Sequence, residues 1–271
     1  MERSVPIRSV SRSIAVLQAI NRGEWLTVME ISKAVDLPYP TTFRIIQTLM
    51  HEGLVACEAS CKRYRVTALV QSLALGYTDH GNLISLARPR MVELTQKHAW
   101  PISLTTHVGR SMIVRDSTHT LSSLTFCNYA PGYSLPLLEC ASGHAFLAHI
   151  GAEERLSLLT GLEAYDRRTP MLDMFKSERL VQNVRENGYA TWERNPHTQF
   201  PGKTSSIAVP VFDKGAVVAT LTLVFFATAL PMAEAVRRYA DDLKAAAREL
   251  SLQLAAPASV NQPATEALAV A

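Results

Sequence analysis

Side chains that donate or accept hydrogen bonds recur on one side of a short helical segment. Between Pro40 and His51, a wheel drawn at about 100° per residue separates two faces. The apolar face carries Phe43, Ile45, Ile46, Leu49 and Met50, and the opposite face carries Thr41, Arg44, Gln47, Thr48 and His51. Arginine can bond guanine with two parallel hydrogen bonds, and threonine can bond a base or pack on the thymine methyl. This face is typical of a helix that reads the major groove, with Thr41, Arg44 and Thr48 as base contacts.

Residues next to this face could hold the phosphate backbone. Tyr39 and Thr42 lie at the start of the segment, where helix amides favour an anion. Thr42 falls on the apolar side, so packing or a phosphate contact is favoured over base recognition. A basic stretch follows, and its cations are predicted to bind phosphates: Lys62, Arg63 and Arg65.

Local signals set the elements that position these side chains. Thr27 and Glu30 form a capping box, which predicts a helix start, and Pro38 predicts where that helix has ended. Gly53 closes the next helix, and the alternating runs Leu54–Cys57 and Tyr64–Val66 predict a small hairpin. An ordinary helical hairpin with a solvated face is the alternative, but the order helix, tight turn, helix, basic hairpin favours DNA binding.

A further helix is predicted before this pair, over residues 10–21. Core spacing is expected for Val10, Ile14, Leu17 and Ile20. The predicted divisions of the chain are then an N-terminal arm (1–9), a winged helix-turn-helix domain (10–66), a linker helix (67–80), an effector domain (81–254) and a disordered tail (255–271).

Two residue pairs that include cysteine suggest other chemistry. Cys140 and His144 are four residues apart on a predicted helix and could form a nucleophile. No third orienting group is in sequence reach and no hydrolase motif surrounds them, so catalysis is not expected. Cys57 and Cys61 supply two ligands where a tetrahedral zinc site needs four, so free thiols are the favoured interpretation. The sequence therefore predicts neither an enzyme nor a cofactor or metal site.

Composition places further limits on function. The chain has 271 residues, a formal net charge of +3 and four cysteines, so any basic surface must be local. No secretory signal is apparent, and a reducing cytoplasm is expected. The uncharged run 216–233 is almost long enough to span a bilayer. Its β-branched and aromatic residues, with Pro231 inside it, favour a buried β-hairpin leading into a helix.

Strands and helices alternate in the second half of the chain, which predicts an α+β domain with an antiparallel sheet. A linking helix is expected over 67–77, a strand over 121–127, a loop over 129–136 and one helix over 175–187. The remaining strands are expected at 102–108, 111–116, 189–193, 204–212 and 216–226, and the remaining helices at 83–98, 141–150, 153–159 and 233–254.

Two motifs in this domain carry a family resemblance. LPLLECASGHAFLA, residues 135–148, and SSIAVPVFD, residues 205–213, resemble the IclR family of bacterial transcription regulators over roughly residues 8–253. The family pattern P-L-H-x-T-A-x-G-K-A differs here at Leu138, Cys140 and His144, which puts the usual roles of the histidine and lysine in doubt. The resemblance implies a winged helix joined to a GAF-like effector domain, in dimers or tetramers.

A narrower resemblance concerns the ligand. HAWPISLTTHVGRSMIVRDSTH, residues 98–119, is similar to the family members that activate catabolism of aromatic acids such as 3-hydroxyphenylpropionate. This implies a small aromatic or phenolic carboxylic acid as effector, and operator DNA and RNA polymerase as partners. A repressor remains the alternative, and so does a GAF-like small-molecule-binding protein without direct DNA readout.

A small acid needs an apolar cradle and converging donors. The helix start at Ala141 and Ser142 offers free amides, and the resemblance adds Leu135 as an apolar wall and Ser206 as a polar contact. The remaining candidates are charged or aromatic side chains for which ordinary packing or solvation is an equally open interpretation: Arg115, His107, Trp192 and Tyr133.

Overall fold

The computed structural model describes residues 7–23, 25–58, 60–76, 82–124, 129–165, 170–194 and 203–256. The chain divides into two compact units, Met1–Thr78 and Asp79–Ala271. The N-terminal unit contains three helices and a hairpin: α1 (Arg8–Arg22), α2 (Val28–Val35), α3 (Tyr39–His51), β1 (Val55–Glu58) and β2 (Arg63–Val66).

The local sequence signals that predicted the helices of this unit are found at the helix starts in the structure. Thr27 accepts a hydrogen bond from the backbone of Glu30, whose carboxylate accepts one from the Thr27 amide in return. Pro40 lies in the first turn of α3, where its missing N–H costs nothing. The helices and hairpin enclose a small core that includes Ile20, Ile31 and Ile46. The predicted helix-turn-helix with a hairpin is confirmed.

Three predictions for this unit are wrong. The arm is shorter than predicted, because α1 already begins at Arg8; residues 1–6 lie outside the described residues. Val10 and Ile14 are each 52% exposed rather than core, whereas the predicted core residue Ile20 is buried and Val16, which was not predicted, is buried with it. The linker helix predicted over 67–77 is only the single turn α4 (Leu69–Ser72). After α4, the backbone amides of Leu73, Ala74 and Leu75 each donate a hydrogen bond to the carbonyl three residues earlier.

The C-terminal unit is built on a six-stranded antiparallel sheet of order β5-β4-β3-β8-β7-β6, and the predicted α+β class is confirmed. Its elements are α5 (Leu83–His98), β3 (Ile102–Val108), β4 (Ser111–Ser117), β5 (Ser134–Pro136), α6 (Ala141–His149), α7 (Ala152–Tyr165), α8 (Pro170–Lys176), α9 (Arg179–Asn187), β6 (Ala190–Trp192), β7 (Thr204–Asp213), β8 (Ala216–Phe226) and α10 (Met232–Ala255).

The two faces of this sheet differ in chemistry. One face presents large apolar side chains such as Leu104, Leu221 and Val209 to α5 and α10. The other face is turned toward α6 and carries Ala208 and Met112, together with a row of hydroxyl side chains. Because side chains alternate along a strand, the register of β3 with β8 decides which hydroxyls become neighbours.

Some boundaries in this unit differ from the predictions. Residues 121–124 form no strand, and residues 125–127 of that prediction lie outside the described residues. The predicted loop over 129–136 contains β5, which pairs with β4. The helix predicted over 175–187 is two helices, α8 and α9. The run 216–233 forms β8 and the start of α10, and among the described residues no helix is long and apolar enough to cross a bilayer.

Candidate nucleic-acid interface and ligand pocket

The outer side of α3 presents the predicted polar side chains to solvent. Arg44, Gln47 and Thr48 are exposed, and Thr41 is half-buried. The Thr48 hydroxyl donates to the Arg44 carbonyl at 3.1 Å, so it keeps acceptor sites for a partner. Tyr39 is 48% exposed, and its ring stacks on the Phe43 ring with 6.2 Å between the ring centres.

Helix α1 contributes residues to this surface that the sequence analysis missed. A concave surface runs along α3 and is lined by Ser9, Arg12 and Ser13 of α1 together with Thr41, Arg44, Gln47, Thr48 and His51. Arg12 places a second guanidinium beside Arg44, which strengthens the positive potential of the surface. No local pattern marks these α1 residues, because the packing of α1 on α3 brings them there.

The predicted DNA contact of Thr42 is wrong. Its side chain is 0% exposed, inside the N-terminal unit. Its hydroxyl has no hydrogen-bond partner among the described residues. Thr42 therefore has a packing role, which is the other interpretation that its place on the wheel allowed.

Trp25 orients the arginines of the hairpin. The Arg63 guanidinium donates to the Trp25 carbonyl at 3.0 Å, and the Arg65 guanidinium lies 4.7 Å from the centre of the Trp25 ring. Lys62 is exposed in the turn, with a left-handed φ of 49°. The ring contact restricts Arg65 and the hydrogen bond restricts Arg63, and both guanidinium groups keep their charge. The hairpin therefore presents two positioned arginines and an exposed lysine.

A cavity of about 330 Å³ lies between α6 and the hydroxyl-bearing face of the large sheet. Fifteen residues line it: Ser103, Thr105, Tyr129, Tyr133, Ser134, Leu135, Pro136, Glu139, Cys140, Ser142, Trp192, Thr204, Ser206, Thr222 and Val224. Aromatic and aliphatic walls alternate with hydroxyl groups, and no lysine, arginine or histidine is among these residues. A ligand here meets hydroxyl groups, the Cys140 thiol and the Glu139 carboxylate, and no fixed positive side chain among these residues.

The floor of this cavity is a group of buried hydroxyls. Ser103 and Thr222 lie opposite each other on β3 and β8, and Thr222 bonds Ser142 of α6 at 3.0 Å. Thr105, which is 0% exposed, bonds Thr220 at 2.7 Å. Each hydroxyl has one donor and two acceptor sites, so each keeps capacity for a ligand.

A second polar group borders the cavity on β7. The Tyr129 hydroxyl bonds Thr204 at 2.9 Å, and Ser206 lies on the same side of β7 two residues further on. Burial raises the pKa of Tyr129, which keeps its phenol protonated. Val224, opposite Ser206 in the sheet, lies between this group and Thr222.

The first turn of α6 opens onto the cavity through Cys140 and Ser142. The Gly143 amide donates to the Cys140 sulfur at 3.2 Å, so the thiol caps the helix. Burial raises the pKa of Cys140 to about 12, and burial lowers the pKa of His144 to about 4. His144 donates to the Leu138 carbonyl at 2.9 Å, and both groups are neutral at pH 7. The pair is a structural cap and not an activated nucleophile.

The structure brings five of the eight predicted effector residues together around the cavity: Leu135, Ser142, Ser206, Trp192 and Tyr133. The other three, Ala141, Arg115 and His107, are outside its lining. Ala141 is fully buried in the core. Arg115 lies at an irregularity of β4, where Val114 pairs with Thr105 and Asp116 pairs with Leu104, so the pairing of β4 with β3 skips it. His107 lies on the same face of the sheet as Thr105, but its ring stacks on Phe146, further along α6, with 4.5 Å between the ring centres.

A helix-turn-helix unit with a basic hairpin, joined in one chain to a unit with an enclosed polar cavity, defines a ligand-responsive transcription regulator. Two family models match the chain: the IclR helix-turn-helix domain over residues 9–58, and the bacterial transcriptional regulator IclR C-terminal domain over residues 75–252. The chain belongs to the IclR family, whose members are DNA-binding regulators and not enzymes.

Individual relatives agree with this assignment. The chain is 28% identical to the HTH-type transcriptional regulator KdgR of Escherichia coli, over 92% of this chain and 93% of that protein. It is 27% identical to the HTH-type transcriptional repressor AllR of Escherichia coli, over 80% and 79%. A solved IclR homolog of Microbacterium hydrocarbonoxydans, complexed with 4-hydroxybenzoate, has a TM-score of 0.64 at 20% identity, over 91% and 98%. This last likeness shows that the fold is shared.

Proposed function

We propose that this regulator binds a small aromatic or phenolic carboxylic acid in the cavity beneath α6 and activates an operon for degrading aromatic compounds. The observation that carries the ligand class is the arrangement of the lining. Leu135 on β5 and Trp192 on β6 form apolar walls at the two edges of the sheet, and Val224 lies between the polar group around Thr222 and the polar group around Ser206. A flat ring with a polar substituent at each end matches this order of polar, apolar and polar surfaces.

In this proposal the carboxylate of the ligand lies at the α6 end of the cavity, where the helix amides and hydroxyls must outweigh repulsion from the Glu139 carboxylate that also lines it. The positive end of a helix dipole favours an anion there, and the Ser142 hydroxyl lies at the same place. The opposite polar group, which includes Tyr129 and Ser206, suits a ring hydroxyl because hydroxyls both donate and accept. The homolog that was solved with 4-hydroxybenzoate makes this ligand class a reasonable first choice for screening.

Trp192 provides a direct test of effector binding. The chain contains three tryptophans, and Trp192 lines the cavity. Hydroxylated aromatic acids should therefore change its fluorescence and raise the melting temperature, because a ligand of the folded state stabilises it. Trp192→Phe should abolish the fluorescence change and keep most of the thermal shift. Aliphatic hydroxy acids serve as the control ligand class, and a thermal shift with these but not with aromatic acids would refute the proposal.

On the DNA side, we propose that Thr41, Arg44 and Thr48 contact bases, with Tyr39, Lys62, Arg63 and Arg65 at the backbone. The exposed face of α3 and the cations beside it support this assignment. Binding to the promoter region should fall steeply with salt, since phosphate contacts release counterions. Equal affinity for promoter and random DNA at every salt concentration would contradict it.

Repression is the second candidate, and the name of AllR, a transcriptional repressor, favours it. Transcription of the controlled operon in a strain lacking this gene separates the two modes. Loss of induced expression supports an activator that acts through RNA polymerase, whereas high expression without effector supports a repressor. In either mode we propose that the chain works as a dimer or tetramer, because twofold operators need paired recognition helices.

A further inference from the structure

A second cavity, of about 350 Å³, opens in the C-terminal unit at the far end of α6 from the effector cavity. Its wall is apolar and includes Val209, Phe212 and Ala247. Three basic side chains lie around this wall: His149, Lys244 and Arg248. We call this second cavity the basic cleft.

The basic cleft exists because one strand is short. β6 pairs with β7 only as far as Ala190 opposite Ala208, and α9 ends just before it at Gly188, with a left-handed φ of 73°. Among the described residues, no strand therefore pairs with β7 from Val209 onward on the side opposite β8. Pro210 lies on this edge and has no N–H to donate, which opposes the addition of a strand from another chain.

The charges in the cleft are of one sign. Lys244 pairs with Asp241 at 2.9 Å, and that carboxylate is 91% exposed on the outer side of α10. Arg248 is exposed. The His149 Nδ1 atom donates a hydrogen bond to the Ala145 carbonyl at 2.8 Å. In the neutral ring, the other nitrogen, Nε2, is then a hydrogen-bond acceptor. No carboxylate is among the described residues that line the cleft.

Nearby charge adds to this potential. The Arg185 guanidinium donates to the Ala148 carbonyl at 2.6 Å, one residue before His149. Burial lowers the pKa of His149, and the positive charge of Arg185 lowers it further. Lys244 and Arg248 therefore supply the positive charge of the cleft, beside an apolar wall and a His149 ring whose lowered pKa favours the neutral form.

We propose that the basic cleft is a second ligand site, which binds a small organic anion with its charged head between Lys244 and Arg248 and its apolar body on Phe212 and Val209. A carboxylate and a phosphate ester share this chemistry. The site is separate from the effector cavity, but both are built on α6: Ser142 lines one and His149 lines the other.

Binding of phenyl phosphate and benzoate to the full-length protein tests this proposal. Calorimetry at constant ionic strength should detect a site that Trp192 fluorescence does not report, because Trp192 lines only the effector cavity. Lys244→Gln with Arg248→Gln should weaken that site at least 10-fold. Arg179→Gln with Lys214→Gln, which removes the same charge from exposed positions elsewhere in the unit, should leave it unchanged.

The apolar wall provides a second readout. Phenyl phosphate should bind at least 3-fold more tightly than inorganic phosphate in the wild type, and this difference should shrink when Phe212 is replaced by alanine in a variant that melts normally. The proposal is overturned if calorimetry shows only the event that quenches Trp192, or if both double variants lose affinity equally. Because Trp192 monitors the effector cavity separately, failure of the proposed function would not be mistaken for failure of this site.

Discussion

Arg44 projects from the middle of the exposed face of α3, between Thr41 and Thr48, where a recognition helix meets base edges. Substitution by alanine should weaken operator binding by about 10- to 100-fold, which corresponds to the loss of one bidentate base contact. Binding to random DNA should change far less. Competition assays with operator and random DNA measure both quantities.

Arg44→Lys is the matched comparison for this substitution. Lysine keeps the positive charge but loses the planar fork that bonds guanine. It should therefore preserve affinity for random DNA without restoring discrimination. If Arg44→Ala lowers affinity for operator and random DNA by the same factor, Arg44 is a phosphate contact and not a base contact.

His144 should make the stability of the effector unit depend on pH. Its pKa is about 4 in the folded protein and 6.5 when unperturbed, so the unfolded chain takes up a proton first as pH falls. The stabilisation is complete above pH 6.5 and is lost between pH 6.5 and 4, by up to about 3 kcal/mol. Urea unfolding at pH 7.5 and pH 5 measures the loss. In the His144→Gln variant, the free energy of unfolding should depend much less on pH. If it falls as much between pH 7.5 and pH 5 as in the wild type, other groups cause the dependence.

Gly143 shows how tightly α6 is seated as an element. A Cβ atom at this position would lie 1.9 Å from the Leu137 carbonyl oxygen, so neither α6 nor the preceding segment could stay in place. Gly143→Ala should destabilise the effector unit by about 3 kcal/mol or more and abolish the response to effector. Thermal unfolding followed by circular dichroism measures the change.

Gly151 is the control for this substitution. A Cβ atom at Gly151, between α6 and α7, would meet no atom within 4 Å. Gly151→Ala should therefore leave the melting temperature nearly unchanged. If both variants melt alike, the close approach of α6 to Leu137 does not constrain the fold.

At the scale of the whole molecule, α1 presents a face with no partner among the described residues. Ile7, Val10 and Ile14 are 69%, 52% and 52% exposed, and their spacing places them on one side of the helix. Such a stripe is expected to be covered in the assembled protein. Ile14→Glu should weaken binding to a twofold operator at least 10-fold, with little effect on binding to a single half-site.

Gln71→Glu, on α4 and also exposed, adds a negative charge outside α1 and should bind the operator normally. Sedimentation velocity shows whether the oligomer itself dissociates. If Ile14→Glu and Gln71→Glu bind the full operator equally well, the stripe does not pair the DNA-binding units.

The sequence by itself determined the features that depend on neighbours within about four residues. The capping box at Thr27 starts α2, the 3.6-residue period orients Arg44 outward, and the Lys214–Gly215 turn, with positive φ at both residues, joins β7 to β8. The motif over residues 135–148 located the start of α6. These signals are local, so they are legible without knowing what else packs against the segment.

Only the tertiary structure decided which distant residues share a site. The cavity floor requires β3 to pair with β8, so that Thr105 meets Thr220 across 115 positions of sequence; Ser103, Thr105 and Thr222 therefore escaped prediction. For the same reason the sequence did not reveal that Thr42 is buried, that Arg115 lies outside the cavity lining, or that Arg12 lies beside Arg44. Strand register and helix packing are set by the total burial of many side chains, and no short stretch of sequence carries that sum.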